Sequence, residues 1–260
     1  MIWCRYQAGD KISYGIVEGE TIAEVDGIPW GRHAVTTTKR RLGEVKLLAP
    51  LVPGTFYCAG VNYRNHVIKM AAKRNATPKF PEAADIGYRS PNAIIASGEA
   101  IVKPKDAGEE FQYEAELVAI VGKKGKNIPK ERALEHVFGW TIGNDVSERE
   151  WQRGDRTMWR GKDADTFKPM GPWIVTGADY RKMRTTVKLD GKVVEDFATG
   201  DMIFSVEDFI ERMTKYVTIH PGDVIWMGTD GVPENMRPGQ TCEIEITGIG
   251  KLSNPIVLEK

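Results

Sequence analysis

The hydrophobic pattern of the chain reads mostly as short strands punctuated by turns. Residues 12–17 and 21–25 are rich in β-branched side chains and are joined at Glu18-Gly19-Glu20 by a hairpin-length connection. Residues 55–61 form a continuous apolar run, the pattern of a buried strand. The spacing then turns helical over residues 62–70, with Asn62 or a neighbour as the cap. A longer strand spans residues 112–122. Tyr113, Ala115, Leu117, Ala119 and Val121 share one face, while Glu114, Glu116, Val118 and Ile120 share the other. Both faces are largely apolar, which predicts a strand covered on both sides. Residues 129–137 read as a short helix with His136 on its outer side, and residues 138–146 as a strand running to Asp145. The sheet resumes at residues 169–175. Residues 187–194 make a hairpin turning through Asp190-Gly191 in type I′ geometry. Residues 205–213 are an amphipathic helix with Ser205 as N-cap and Asp208 near the capping-box position. Pro221-Gly222-Asp223 turns the chain into residues 224–227, and residues 242–247 alternate like a strand whose Glu243 and Glu245 are solvated.

The prolines of Ala49-Pro50-Leu51-Val52-Pro53-Gly54 mark a boundary between a small N-terminal β-module, residues 1–50, and a main domain, residues 51–260. The 27 glycines and 14 prolines favour a β-rich fold with short connections. Residues 73–84 lack periodicity and read as a mobile loop, a candidate lid. The balance of 36 basic and 36 acidic residues gives no field for nucleic acid or an anionic membrane, so neither is expected as a partner. No apolar run approaches the ~20 residues of a membrane span. Met1–Tyr6 lacks the apolar core of a signal peptide. Cys4, Cys58 and Cys242 are odd in number and far apart, which argues against disulfides or a thiolate zinc site and for a reduced, cytoplasmic compartment.

Chemistry concentrates on the two-glutamate strand. Adjacent carboxylates on a covered face repel each other and lose hydration, so they resist ionising. A hard divalent cation such as Mg²⁺ removes both penalties, being held by carboxylates with waters and substrate oxygens completing the shell. Asp145 is either a third oxygen ligand or the cap of a turn. His66, Lys69 and Met70 share a helix face, so His66 is either a proton-transfer group at a pocket mouth or a surface histidine.

Five stretches in order then carry a family resemblance: Gly60-Val61-Asn62-Tyr63-Arg64-Asn65-His66, Tyr113-Glu114-Ala115-Glu116-Leu117, Asn144-Asp145-Val146-Ser147, Lys162-Asp163-Ala164-Asp165-Thr166-Phe167, and residues 221–229, Pro-Gly-Asp-Val-Ile-Trp-Met-Gly-Thr. The chain resembles the fumarylacetoacetate hydrolase family from about Val52 to Val257. The resemblance implies an α+β, β-rich fold: a mixed β-roll with flanking helices beside the small N-terminal module, commonly a homodimer binding Mg²⁺ or Mn²⁺. It implies Glu114, Glu116 and Asp145 as metal ligands and His66, Lys162 and Gln152 as catalytic residues. It implies Arg89, Thr229 and Tyr63 as substrate-binding residues, with Arg89 standing where the family has a lysine.

The implied substrate is a 2-oxo acid, whose carboxylate and carbonyl suit a hard cation, with Lys162, Gln152 and Thr229 donating to the developing oxyanion. The family prior gives a Mg²⁺-dependent hydrolase cleaving a carbon–carbon bond in a 2,4-dioxo acid. The alternatives are a tautomerase or decarboxylase of related oxo-enol acids, or a non-catalytic metal-binding homodimer. One departure weighs on this choice. Hydrolytic relatives carry a glutamate three residues after the histidine, and this chain has Lys69 there. An ammonium in that place favours the neutral imidazole and opposes water activation, unless Glu82 or Asp85 reaches His66 instead.

Overall fold

The computed structural model describes residues 1–260. Its fold is α+β and strand-rich, built on two sheets. The large sheet runs His33–Arg41, Thr21–Gly27, Lys11–Glu18, Ile2–Ala8, Lys168–Val175, Val137–Asn144, Ala115–Val121, Val224–Trp226, Phe56–Ala59, Ile86–Tyr88. A five-stranded sheet runs Lys192–Ala198, Arg184–Leu189, Thr241–Ile246, Gly250–Leu258, Ile101–Lys103. Both sheets are mixed, since Phe56–Ala59 lies parallel to Val224–Trp226 and Ile101–Lys103 parallel to Gly250–Leu258.

Ala115–Val121 is buried at every position, as its two apolar faces predict. Ala115, Leu117, Ala119 and Val121 pack into the main core with Val187, Ile244 and Leu252 of the second sheet. Val118 and Ile120 face the other way, into a core with Trp3, Phe56, Met170 and Trp226. Glu114 and Glu116 share the parity of this second face, so strand geometry carries both carboxylates to one side. The neighbouring strand must be bare where they lie. A Cβ on Gly143 would fall 2.5 Å from the Trp226 ring, and Gly143 is the register partner of Glu116.

The N-terminal strands continue the large sheet: Ile2–Ala8 pairs with Lys168–Val175, and Trp3 packs in the same core as Trp226. The Asp190-Gly191 turn has φ of 49° and 79°, the double positive φ of a type I′ turn. Ser205 and Asp208 form a complete capping box on the helix Val206–Thr214.

Two local expectations change. Lys130–His136 is a 3₁₀ helix, and His136 is buried, its Nδ1 bound to the Lys123 carbonyl, because the short helix is folded back against the sheet. The helix Arg64–Lys73 starts from Tyr63 rather than Asn62 and has no side-chain cap. Asn62 is used elsewhere, donating to the carbonyls of Phe204 and Met227 and accepting from the Phe204 N–H.

Candidate metal centre and substrate site

The sheet delivers three carboxylates to one point. The Glu114 N–H donates to Asn144 Oδ1 at 3.0 Å and the Asp145 N–H to the Glu114 carbonyl at 2.9 Å, which ties the ends of the two strands together. One oxygen from each of Glu114, Glu116 and Asp145 lies within 4.8 Å of the others, and all three residues are buried. Three hard oxygen donors at this spacing suit a Mg²⁺- or Mn²⁺-sized ion.

Four cations converge on the same group. Lys162 Nζ is 2.5 Å from Glu114 Oε2 and 3.2 Å from Asp145 Oδ2. Arg149 reaches Glu114 Oε1 at 2.6 Å, Lys168 reaches Asp145 Oδ1 at 2.6 Å, and Arg89 reaches Asp145 Oδ2 at 3.3 Å. Burial raises the pKa of Glu114, but Arg149 and Lys162 outweigh it and hold the carboxyl below its usual range. Asp145 behaves likewise: burial opposes its charge, and Arg89, Lys162 and Lys168 more than restore it. Glu116 differs. It is the one carboxylate of the three in no ion pair of the chain, accepting only from the Gly228 N–H at 2.7 Å. Burial, then Asp145 and Glu114, push its pKa well above the ordinary value. A divalent ion among the three would supply the charge that Glu116 lacks, so the residues fit the implied group.

Two short helices place the polar groups beside the carboxylates. Glu148 caps the helix Arg149–Gly154 by accepting from the Trp151 N–H. That helix presents Arg149 and Gln152 on one face, joined at 2.9 Å. The helix Trp159–Asp163 carries Lys162. The two meet at Gly161, where an added Cβ would fall 2.7 Å from the Gln152 backbone nitrogen, so glycine allows Gln152 and Lys162 to sit close together. Gln152 spends its carbonyl oxygen on Arg149, and its amide nitrogen has only a 3.8 Å contact with Met158 Sδ, which leaves N–H donors for a substrate oxygen.

His66 projects from the helix Arg64–Lys73 onto the segment after Val224–Trp226. Its Nδ1 lies 2.8 Å from the Gly231 carbonyl. A carbonyl only accepts, so Nδ1 carries the proton and Nε2 holds the free lone pair of the neutral ring. Burial lowers the His66 pKa; Glu114, the Gly231 carbonyl and Asp230 favour the cation without offsetting that cost. The ring is thus biased to neutrality, by burial first and with Arg149 adding to it; Lys69, from which the sequence led one to expect that bias, is not among the causes. Glu82 and Asp85 are exposed and form no ion pair or hydrogen bond with His66, Asp85 packing instead on Gly60.

Thr229 is buried beside this segment with only a 3.4 Å contact from Oγ1 to the Asp230 carbonyl, so its hydroxyl is available. Two expected substrate-binding residues are otherwise engaged. Tyr63 is 1% exposed and its hydroxyl donates to the Thr199 carbonyl at 2.7 Å, so it anchors the start of the His66 helix in the core. Arg89 turns its guanidinium to Asp145, so in this arrangement it supports one of the three candidate ligand carboxylates. A cavity of about 630 Å³ opens beside Gln112, lined also by Lys73, Asn235 and Arg237. It adjoins the site through Gln112, whose Oε1 accepts from Arg149 at 2.8 Å.

Sequence reasoning missed Arg149, Lys168 and Glu195. Arg149 had a signal, since it lies three residues before Gln152 on one helix face. Lys168 had a weaker one, a charge opening the apolar strand Lys168–Val175. Glu195, in the mostly apolar edge strand Lys192–Ala198, had none.

Comparison with known proteins agrees with this geometry. Residues 55–257 match the fumarylacetoacetate (FAA) hydrolase C-terminal family, and residues 1–50 match the Rv2993c-like N-terminal family. The oxaloacetate tautomerase YisK of Bacillus subtilis is 34% identical over 83% of this chain and 74% of its own length. The mitochondrial oxaloacetate tautomerase FAHD2A of Homo sapiens is 35% identical over 82% of this chain and 70% of its own. Among solved structures, 5-carboxymethyl-2-hydroxymuconate delta-isomerase from Mycobacterium smegmatis superposes with a TM-score of 0.91 at 33% identity, covering 100% of both chains.

Proposed function

The chain belongs to the fumarylacetoacetate hydrolase family, and from that premise we propose that it is a divalent-metal-dependent tautomerase of a short dianionic 2-oxo acid of the oxaloacetate type. The observation that carries this reading is the partner of His66. A hydrolytic site needs a fixed carboxylate on the histidine to stabilise the imidazolium that forms when water loses a proton. Here His66 Nδ1 is bound to a neutral carbonyl and burial disfavours the cation. Such a ring holds a proton only transiently, which suits a tautomerase that returns the proton to the same substrate, and suits less a hydrolase that must hold it while water adds and the carbon–carbon bond breaks.

Charge supports the substrate class. Four cations contact Glu114 and Asp145, and with Glu116 counted as a third carboxylate the cluster keeps one positive charge in excess before any ion is bound. A divalent ion held by Glu114, Glu116 and Asp145 would add two more charges and polarise the oxygens of a 2-oxo acid. Two carboxylates and an enolate oxygen balance such a site. Lys162, whose Nζ already bridges Glu114 and Asp145, donates to the oxygen that gains charge when the C3 proton leaves. Gln152 and Thr229 supply neutral donors that orient the same oxygens. The Nε2 of His66 takes the C3 proton and passes it, directly or through solvent, to the enolate oxygen; in the ketonising direction it takes the enol hydroxyl proton and delivers it to C3. Both named relatives that are oxaloacetate tautomerases support this choice over carbon–carbon hydrolysis.

The test is a panel of 2-oxo acids, with and without Mg²⁺, followed by product identity. Enol-to-keto conversion of a dicarboxylic oxo acid without loss of carbon is expected. Cleavage of an acylpyruvate to pyruvate, with no acceleration of tautomerisation, would replace the reading with the hydrolase.

A further inference from the structure

The helix Arg64–Lys73 has a lysine rather than an acid at position 69, but another element brings a carboxyl to the back of the His66 interaction. Glu195 belongs to Lys192–Ala198, the outer strand of the second sheet. Its carboxyl seats directly against Gly231: a Cβ on that residue would fall 1.2 Å from Glu195 Oε1. Gly231 also has φ of +74°, so glycine is required there twice over. Glu195 Oε2 is buried and has no hydrogen-bond partner, although the Val232 N–H is close enough to favour its charged form. The Gly231 carbonyl and the Val232 N–H belong to one planar peptide unit. That peptide therefore has His66 at its oxygen and Glu195 near its nitrogen.

We propose that Glu195 acts on His66 through the Gly231–Val232 peptide, as a positioning residue that holds the Nδ1–H tautomer and tunes the basicity of Nε2. A carboxylate near the N–H polarises the amide and makes its carbonyl a better acceptor, the same polarisation by which neighbouring polar groups reinforce a hydrogen bond at low dielectric. The stronger carbonyl binds the Nδ1 proton more tightly and raises electron density at Nε2. The inference rests on His66 being the proton-moving group of the proposed tautomerase.

The groups around Glu195 make its charge adjustable. Asp230 faces it from the loop, Lys69 from the helix, and Tyr113 and Glu114 from the central strand; Arg184 and Asp196 line the same cavity of about 420 Å³. Burial, followed by Asp230, lifts its pKa from 4.5 to about 7, against the opposing pull of Lys69 and the Val232 N–H. The carboxyl thus changes charge near neutrality, one peptide away from the ring. It modulates the histidine without giving it the fixed counter-charge of a direct acid–histidine pair.

The experiment follows the ring nitrogens of His66 by ¹⁵N NMR on the full chain between pH 6 and 8.5, without substrate. The chain has four histidines, so His66→Asn assigns the signal. Wild type is expected to show the Nδ1–H tautomer with an inflection near pH 7, as Glu195 ionises. Glu195→Gln should remove the inflection and keep the tautomer. Glu195→Asp, which withdraws the carboxyl from the peptide, should weaken and move the inflection, and it carries the test if the glutamine variant does not fold. In parallel, Glu195→Gln should lower kcat roughly threefold to tenfold above pH 7 with KM and Mn²⁺ affinity unchanged, because only proton transfer is affected. A flat wild-type signal, or the same inflection in Glu195→Gln, would overturn the proposal. The NMR readout needs no substrate, so it stands or falls separately from the tautomerase assay.

Discussion

At the residue scale, the carboxylates were readable because strand alternation is local. Two glutamates two residues apart must share a face, and the apolar residues continuing that face declare it covered. Their cationic partners were only partly readable: Lys162 and Arg89 stand in stretches the sequence singles out, whereas the contacts of Arg149 with Glu114 and of Lys168 with Asp145 are set by tertiary packing. Glu116 is where the metal assignment is most exposed to test. Glu116→Ala should weaken Mn²⁺ binding, measured by calorimetry or paramagnetic resonance, by at least about tenfold, and should lower activity by at least about a hundredfold. Full Mn²⁺ affinity in that variant would contradict the assignment. Glu195 gives a second prediction, in stability. Its folded pKa of about 7 lies above the ordinary 4.5, so the folded state holds a proton that the unfolded chain has released. Stability from this group is intact below about pH 4.5 and is lost as pH rises to about 7. Glu195→Gln should therefore match wild type at pH 4 in urea unfolding and exceed it at pH 8, by on the order of 1–3 kcal/mol. Equal stability at both pH values would show that the carboxyl is not penalised in the fold.

At the element scale, turn and cap chemistry was legible wherever it is written in adjacent residues. Asp190-Gly191 and the Ser205–Asp208 box both formed as read. The His136 helix and the Tyr63 contact were misjudged because burial there is set by tertiary packing, which periodicity over seven or eight residues does not report. The contact between Gly143 and Trp226 sets a test of the site's scaffold. Gly143→Ala places a methyl 2.5 Å from the indole and should cost roughly 1–3 kcal/mol in unfolding free energy. It should also displace Glu116, its register partner, and weaken Mn²⁺ binding; an unperturbed affinity would show that the strand yields without moving the carboxylate. The exposed segment after Lys73 is expected to gain protection from proteolysis when oxalate and Mg²⁺ are added together. Cleavage at the same rate with and without them would remove it from the closing of the site.

At the scale of the whole molecule, a chain with no net charge gathers four cations around three carboxylates in its interior. Such a cluster carries a large desolvation cost, which is why we take it as the candidate functional centre. The fold class was legible from strand-length runs and the five ordered stretches. The continuity of the N-terminal strands with the large sheet was not, because the pairing of Ile2–Ala8 with Lys168–Val175 joins residues about 170 positions apart. The central claim is that this centre moves a proton rather than cleaving carbon from carbon. Its most direct test is the ketonisation of enol-oxaloacetate, followed by loss of the enol's ultraviolet absorbance with Mg²⁺ present, while pyruvate release is monitored in the same samples. Wild type should accelerate ketonisation in a Mg²⁺-dependent manner with no matching pyruvate, and Lys162→Ala should lose at least about a hundredfold of that rate. An unaccelerated enol, together with rapid pyruvate release from an acylpyruvate, would contradict the account.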